Sequence, residues 1–400
     1  MTFTLYTIMP SPHQLPLAQE IVRLVGEENF RYVYDQPLEA ERAHMGWSDQ
    51  GLPAWCVFAR DSAAGEWLEQ ADVMLVGGLR PIDLMERRLA HGRCTLYMSE
   101  RWLKPIPFAF RNVYLPGWLR MFVPSYRKMA RRFAALFASP HYRYLPIGPW
   151  AARDMVRVCK MVGAPCAERD FLPWGYFVTP STFRGSGEGA ASPQELPDSN
   201  GPSSLKILWV GRMLDWKRVD TIINAVRSLC PVSQAPNFHD SPLGGEAVSS
   251  PLQVERNASP TRVNIILTLV GDGPERQRLE KLACGLPVIF LPSQPIDKIR
   301  AIMRSHDVYV LLSDAEEGWG AALNEALAEG MIALGTDEAG ASAAILPESQ
   351  LFHAGDSRGL ARLLWTVAHS SEVKWIRELP VEYTPKGAAA RLMKAVEECR

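Results

Sequence analysis

The chain reads as an α/β protein of two doubly wound domains, each built on a parallel sheet. Three observations predict this. Short apolar runs alternate with helix-like segments along most of the sequence, as in units that wind helices around parallel strands. The 400 residues, 47% hydrophobic and 22% charged, supply two globular cores. Several apolar runs end in glycine-containing or polar turns that open the next helix, where the loops at strand C-termini form a binding crevice.

In the first half, residues 1–183, the strand-like runs are 2–9, 30–34, 55–59, 73–77, 93–98 and 142–146. The first ends in a polar turn at Ser11, His13 and Gln14 and leads to a helix. His13 and Gln14 are candidates to approach a ligand with their side chains; an ordinary loop histidine is the alternative. Gly77 and Gly78 end another strand and permit either close backbone approach or a plain turn. Ser99, Glu100 and Arg101 fall just past the run at 93–98. Glu100 either faces a ligand or pairs with Arg101 to cap the loop.

Residues 184–204 are rich in Gly, Ser, Pro and Glu and read as an interdomain linker or mobile loop. The second half, 205–400, opens with the strand-like run 205–210. It stops at Gly211 and Arg212 and leads through Lys217 into a helix expected over 217–229. At such a turn a guanidinium and an ammonium clamp a diphosphate. A second polar stretch, 231–261, reads as a flexible surface insert without a catalytic part. The run 265–270 enters Gly271-Asp272-Gly273-Pro274, with Pro274 suited to the first turn of the next helix. The run 308–312 precedes Glu317, and a helix is expected over 319–329. Glu317 and Glu325 would lie on the order of 10 Å apart at a rise of about 1.5 Å per helical residue. That is the reach from hexose to ribose in a sugar nucleotide; the alternative is a solvated helix face.

Gly211-Arg212 with Lys217, then residues 270–274, then the Glu317/Glu325 pair resemble, in this order and spacing, glycosyltransferase family 4 and its GT-B-fold relatives. The resemblance is specific over about 205–365 and weaker before 200. It implies two Rossmann-like domains facing a central cleft, the first for the acceptor and the second for a nucleotide-sugar donor. It implies that Arg212 and Lys217 bind the donor diphosphate, that Glu317 contacts the transferred sugar, and that Glu325 contacts the ribose. Backbone N–H groups of Gly318, Trp319 and Gly320 would face sugar and phosphates, with Gly271 at a neighbouring turn. The turn holding Ser293 and Gln294 resembles the loop that holds the nucleobase. His13 and Glu100 would act from the N-terminal side, where the family's usual glycine-rich loop is missing. The C-terminal helix would return to the N-terminal domain.

Residues 101–133 carry eight Lys or Arg and no Asp or Glu, interleaved with aromatics. Such a stretch suits an anionic membrane surface bearing a lipid-linked acceptor, or is a core face with an exposed basic side. The net charge of −1 gives no reason to expect a nucleic-acid partner. No apolar run approaches a membrane span, no signal peptide is recognisable, and seven cysteines form no metal-ligand pattern. A cytoplasmic protein is expected, with peripheral attachment to the inner face of the membrane as an option. No two aspartates are separated by one residue, so a D-x-D metal motif is absent. The expected activity is sugar transfer to an acceptor hydroxyl without metal or other cofactor. By resemblance it retains anomeric configuration and serves surface polysaccharide or glycolipid synthesis. An epimerase or phosphorylase on the same fold, or a silent sugar-nucleotide-binding module, are the alternatives.

Overall fold

The computed structural model describes residues 1–38, 51–78, 80–107, 114–166, 170–180, 204–230, 264–370 and 372–399. The stretch expected to be a linker, apart from Ser204, and the insert at 231–261 lie outside the described residues.

The N-terminal half contains strands β1 (Phe3–Thr7), β2 (Phe30–Tyr34), β3 (Cys56–Phe58), β4 (Val73–Gly77), β5 (Cys94–Ser99), β6 (Ile106–Pro107), β7 (Tyr114–Leu115) and β8 (Tyr142–Pro146). The helices between them are α1 (Leu15–Val25), α2 (Ala64–Gln70), α3 (Ile82–Ala90), α4 (Pro124–Ala135) and α5 (Pro149–Val162). The C-terminal half contains β9 (Leu205–Val210), β10 (Ile265–Val270), β11 (Val288–Leu291), β12 (Val308–Leu311), β13 (Ile332–Thr336) and β14 (Leu351–Phe352). Its helices are α6 (Asp220–Leu229), α7 (Arg276–Leu282), α8 (Ile296–Arg304), α9 (Ala322–Ala328), α10 (Gly340–Ile345), α11 (Ser357–His369) and α12 (Pro385–Cys399).

Each half forms a six-stranded, all-parallel sheet, in the orders β3-β2-β1-β4-β5-β8 and β11-β10-β9-β12-β13-β14. The two orders are the same, and each reverses direction beside its first strand, where a doubly wound sheet opens a crevice. Strands β1, β4 and β13 are buried at every position, because helices cover both faces. That explains why the sequence shows continuous apolar runs there in place of alternation.

Three helix starts differ from the sequence expectation. Residues 215–217 form one 3-10 turn, and Arg218 has φ 47°, so α6 begins only at Asp220. Gly320 has φ 95°, a left-handed value, which delays α9 to Ala322. Glu317 therefore lies in a non-helical turn, and the helical rise does not set its separation from Glu325. Helix α7 starts at Arg276, which leaves Pro274 in the turn before it.

The two sheets meet along a seam centred on Trp319. Its indole is fully buried, and its Nε1–H donates to Asn324 Oδ1 at 2.9 Å. Asn324 Nδ2 in turn donates to the carbonyl of Tyr176 at 2.9 Å. The Tyr176 and Tyr383 rings pack on the indole at 6.4 and 5.5 Å between centroids. Helix α12 crosses back to the first sheet: Arg143 Nη2 donates to Glu398 O, and His141 Nδ1 lies 2.9 Å from Cys399 O. Trp319→Ala should lower unfolding free energy by about 3–5 kcal/mol, as removal of a fully buried aromatic does. Urea unfolding monitored on both halves checks this, and a loss confined to the noise of the wild-type curve would remove the seam as a stabilising element.

Candidate active site

A cavity of about 270 Å³ opens where β9, β10, β11 and β12 end. Its walls include Arg212, Lys217, Gly271, Ser293, Gln294, Glu317, Gly320 and Glu325 from the second sheet, and His13 from the first. The turns that carry these residues are hydrogen-bonded to one another. Met213 N donates to Asp272 O at 2.7 Å, Gly271 N to Leu291 O at 3.0 Å, and Asp314 N to Trp216 O at 3.0 Å. A Cβ on Gly271 would lie 1.9 Å from the Gly211 carbonyl, so only glycine lets these two turns approach. The main chain thus holds the charged side chains in register before any ligand arrives.

Glu317 is mostly buried, and its Oε2 accepts from Ser313 Oγ at 2.8 Å and from the Lys217 ammonium. The same ammonium lies 4.4 Å over the centroid of the Trp216 ring. A cation and a carboxylate from two different turns are therefore clamped in one crevice, each available to a ligand that can replace the other.

Glu325 sits on α9, where burial pushes its carboxyl up to about 7; the Arg300 charge pulls it down and Glu329 pushes it up. His13 Nδ1 stands 3.7 Å from Glu325 Oε1, beyond hydrogen-bond range. The His13 ring stacks on Tyr176 at 5.9 Å.

Three sequence candidates lie elsewhere. Gly318 and Trp319 are not among the cavity walls, and the Trp319 side chain belongs to the seam. Glu100 lines a second cavity on the N-terminal side. It does not pair with Arg101: Glu100 accepts from Lys104 Nζ at 2.9 Å and from Tyr176 Oη at 3.1 Å, while Arg101 pairs with Asp154 at 3.3 Å. Sequence reasoning missed Ser313 and Tyr176. Ser313 follows β12 and could have been flagged as a strand-end polar residue, whereas Tyr176 carries no local signal.

Residues 251–374, which hold Gly271, Ser293, Gln294 and both glutamates, match the sequence model of the family described as glycosyl transferases group 1. That part of the chain is similar to the group 1 glycosyl transferases. A 137-residue stretch is 30% identical to sulfoquinovosyl transferase SQD2 of Arabidopsis thaliana, covering 32% of this chain and 26% of that protein. The chain thus matches about a quarter of the length of that relative. The structure of HepE from Anabaena, solved with UDP, aligns over 100% of this chain and 97% of its own, at 13% identity and a TM-score of 0.57. The lipopolysaccharide outer core galactosyltransferase WaaB aligns over 99% of both chains at 13% identity and a TM-score of 0.60. Likeness at that identity shows a shared fold, the two-domain GT-B arrangement.

The raised Glu325 carboxyl gives a stability test. The folded state keeps the proton above the ordinary range of an unfolded glutamate, so its contribution is fully present below about pH 4.5 and is lost as pH rises through about 7. Glu325→Gln cannot ionise. Relative to wild type it should therefore gain about 1–3 kcal/mol in unfolding free energy between pH 5 and pH 8. Denaturant titrations at the two pH values read this difference, and a pH-independent offset would show that Glu325 ionises normally in the fold.

Proposed function

We propose that this chain transfers a glycosyl group from a nucleoside diphosphate sugar to an acceptor hydroxyl, in glycolipid or surface polysaccharide synthesis. One observation carries the reading: Arg212, Lys217, Glu317 and Glu325, drawn from separate turns and a helix, converge on a single cavity with Gly271, Ser293 and Gln294. HepE, on the same fold, was solved in complex with UDP, which supports a nucleotide ligand for this chain.

The chemistry follows from the charges. As the sugar departs, negative charge collects on the leaving diphosphate, and cations already in position there stabilise the transition state more than the ground state. Arg212 and Lys217 supply that charge. Lys217 exchanges its Glu317 contact for phosphate, and Glu317, still held by Ser313, turns its acceptor capacity to sugar hydroxyls. Glu325 receives the ribose hydroxyls. In this reading the leaving-group charge is met by protein cations, the donor is a substrate, and no metal or other cofactor enters. Retention of configuration through same-face attack, with the departing phosphate oxygen accepting the acceptor proton, belongs to the same proposal.

A screen of UDP, GDP and ADP sugars for hydrolysis and transfer in EDTA tests it. Activity with at least one donor is expected, and Arg212→Ala and Lys217→Ala should each lose about 2–4 kcal/mol of transition-state stabilisation. Wild-type turnover in either variant, or dependence on added Mg²⁺, would overturn the mechanism.

The acceptor reading extends to a membrane surface. Within the basic stretch 101–133, Trp102 and Phe133 are core, and Arg132 is paired with Asp83 and Glu86. The remaining surface pairs exposed Arg127, Lys128 and Arg131 with exposed Leu115, Phe122 and Val123. Phe122 is 69% exposed, which supports insertion of apolar side chains beside cations. Each cation near an anionic surface is worth about 1 kcal/mol. Co-sedimentation with anionic but not neutral vesicles is expected, with loss on changing the three cations to Ser and weakening at high salt. Equal recovery with both lipids would remove the membrane from the proposal. Among the described residues no helix is long and apolar enough to cross a membrane.

A further inference from the structure

The second cavity, of about 450 Å³, opens at the C-terminal ends of β1, β4 and β5. That size suits a small-molecule site. No residue lines both it and the donor cavity. Its charged walls are Arg80, Arg101, Lys104 and Glu100, three cations against one carboxylate.

The cations are not equivalent. Arg101 is tied to Asp154 and to the Ala315 carbonyl, and Lys104 to Glu100. Arg80 pairs with no carboxylate among the described residues. Its guanidinium lies 4.4 Å over the Trp102 ring and 6.0 Å from the Tyr126 ring, with Nη1 3.6 Å from Met129 Sδ. Stacking holds the plane of the group, the Tyr97 and Tyr126 side chains bond part of its edge, and the remaining N–H donors have the geometry that recognises a carboxylate or phosphate.

Glu100 lies where the cavity approaches the second sheet. Its carboxyl carbon lies 2.0 Å from where a Cβ on Gly318 would be, so it abuts the turn that carries Glu317. A molecule in the cavity has both Arg80 and the Glu100 carboxylate beside the Gly318 turn within its walls. We propose that the acceptor carries an oxyanion, phosphate or carboxylate, held at the Arg80 guanidinium, with its reacting hydroxyl directed to Glu100 and the Gly318 turn. Lys104, bonded to Glu100, holds that carboxylate in place. This rests on the glycosyl-transfer reading and names the acceptor class for it.

The probes are glycerol 3-phosphate, and vesicles of phosphatidylglycerol against phosphatidylcholine, titrated into wild type, Arg80→Gln, Arg80→Lys and Arg212→Ala. Glycerol 3-phosphate should bind wild type and weaken about tenfold or more in Arg80→Gln, less in Arg80→Lys, and not in Arg212→Ala. Melting temperatures close to wild type separate lost recognition from lost folding, and Arg80→Lys keeps the charge if the Gln variant is destabilised. If the oxyanion belongs to a lipid headgroup, the same Arg80 dependence appears with phosphatidylglycerol vesicles and the soluble probe binds more weakly. Binding of both probes unchanged in Arg80→Gln, binding lost only in Arg212→Ala, or no binding of either probe to wild type would each overturn the proposal. Failure of the donor assignment has its own signature: nucleoside diphosphate affinity unaffected by Arg212→Ala while the Arg80 dependence stands.

Discussion

The arrangement depends on one buried indole. Trp319 belongs to the donor turn by sequence and to the interdomain core by packing, and its N–H is satisfied only through Asn324, whose amide reaches back to Tyr176. An unpaired indole N–H or amide in such a seam would cost about 1–3 kcal/mol, so the two halves are held in one relative position by polar as well as apolar forces. Tyr176 also stacks on His13 and donates to Glu100. The seam therefore sets where the N-terminal side chains stand relative to Glu317 and Glu325.

Within that frame the cavity proposed for the donor is a set of main-chain turns with a few charges attached. The hydrogen bonds from Met213, Gly271 and Asp314 to neighbouring turns settle the backbone, and the missing Cβ at Gly271 allows the closest contact. The Lys217–Glu317 pair is then a pre-positioned exchange point. Each partner is only partly exposed, so leaving it unpaired would be costly, and a ligand with both phosphate and hydroxyl groups satisfies both at once.

How much of the site was legible in the sequence differs by residue. Arg212, Gly271, Ser293, Gln294 and Glu317 sit in turns that follow apolar runs, Lys217 in the turn before the next helix and Glu325 inside one, and all seven line one cavity. The helix carrying Glu325 starts later than expected, because the left-handed backbone at Gly320 delays it. Gly318 and Trp319 were singled out for their backbone N–H groups; the packing of the Trp319 side chain into the core carried no local signal. Tyr176 and Arg80 were missed, since each acquires its significance from partners dozens of residues away.

The sequence by itself determined the two parallel sheets. Strand positions follow from apolar runs and turns from glycine and proline, and both are local properties of a few consecutive residues. The pairing of Glu100 with Lys104 and Tyr176, the return of α12 to the first sheet, and the clamping of Arg80 on Trp102 were decided only by the tertiary structure. Side-chain partners and interdomain contacts depend on which surfaces are brought together in space, and no local pattern in the chain encodes the distance between two residues that meet only after the sheets have formed.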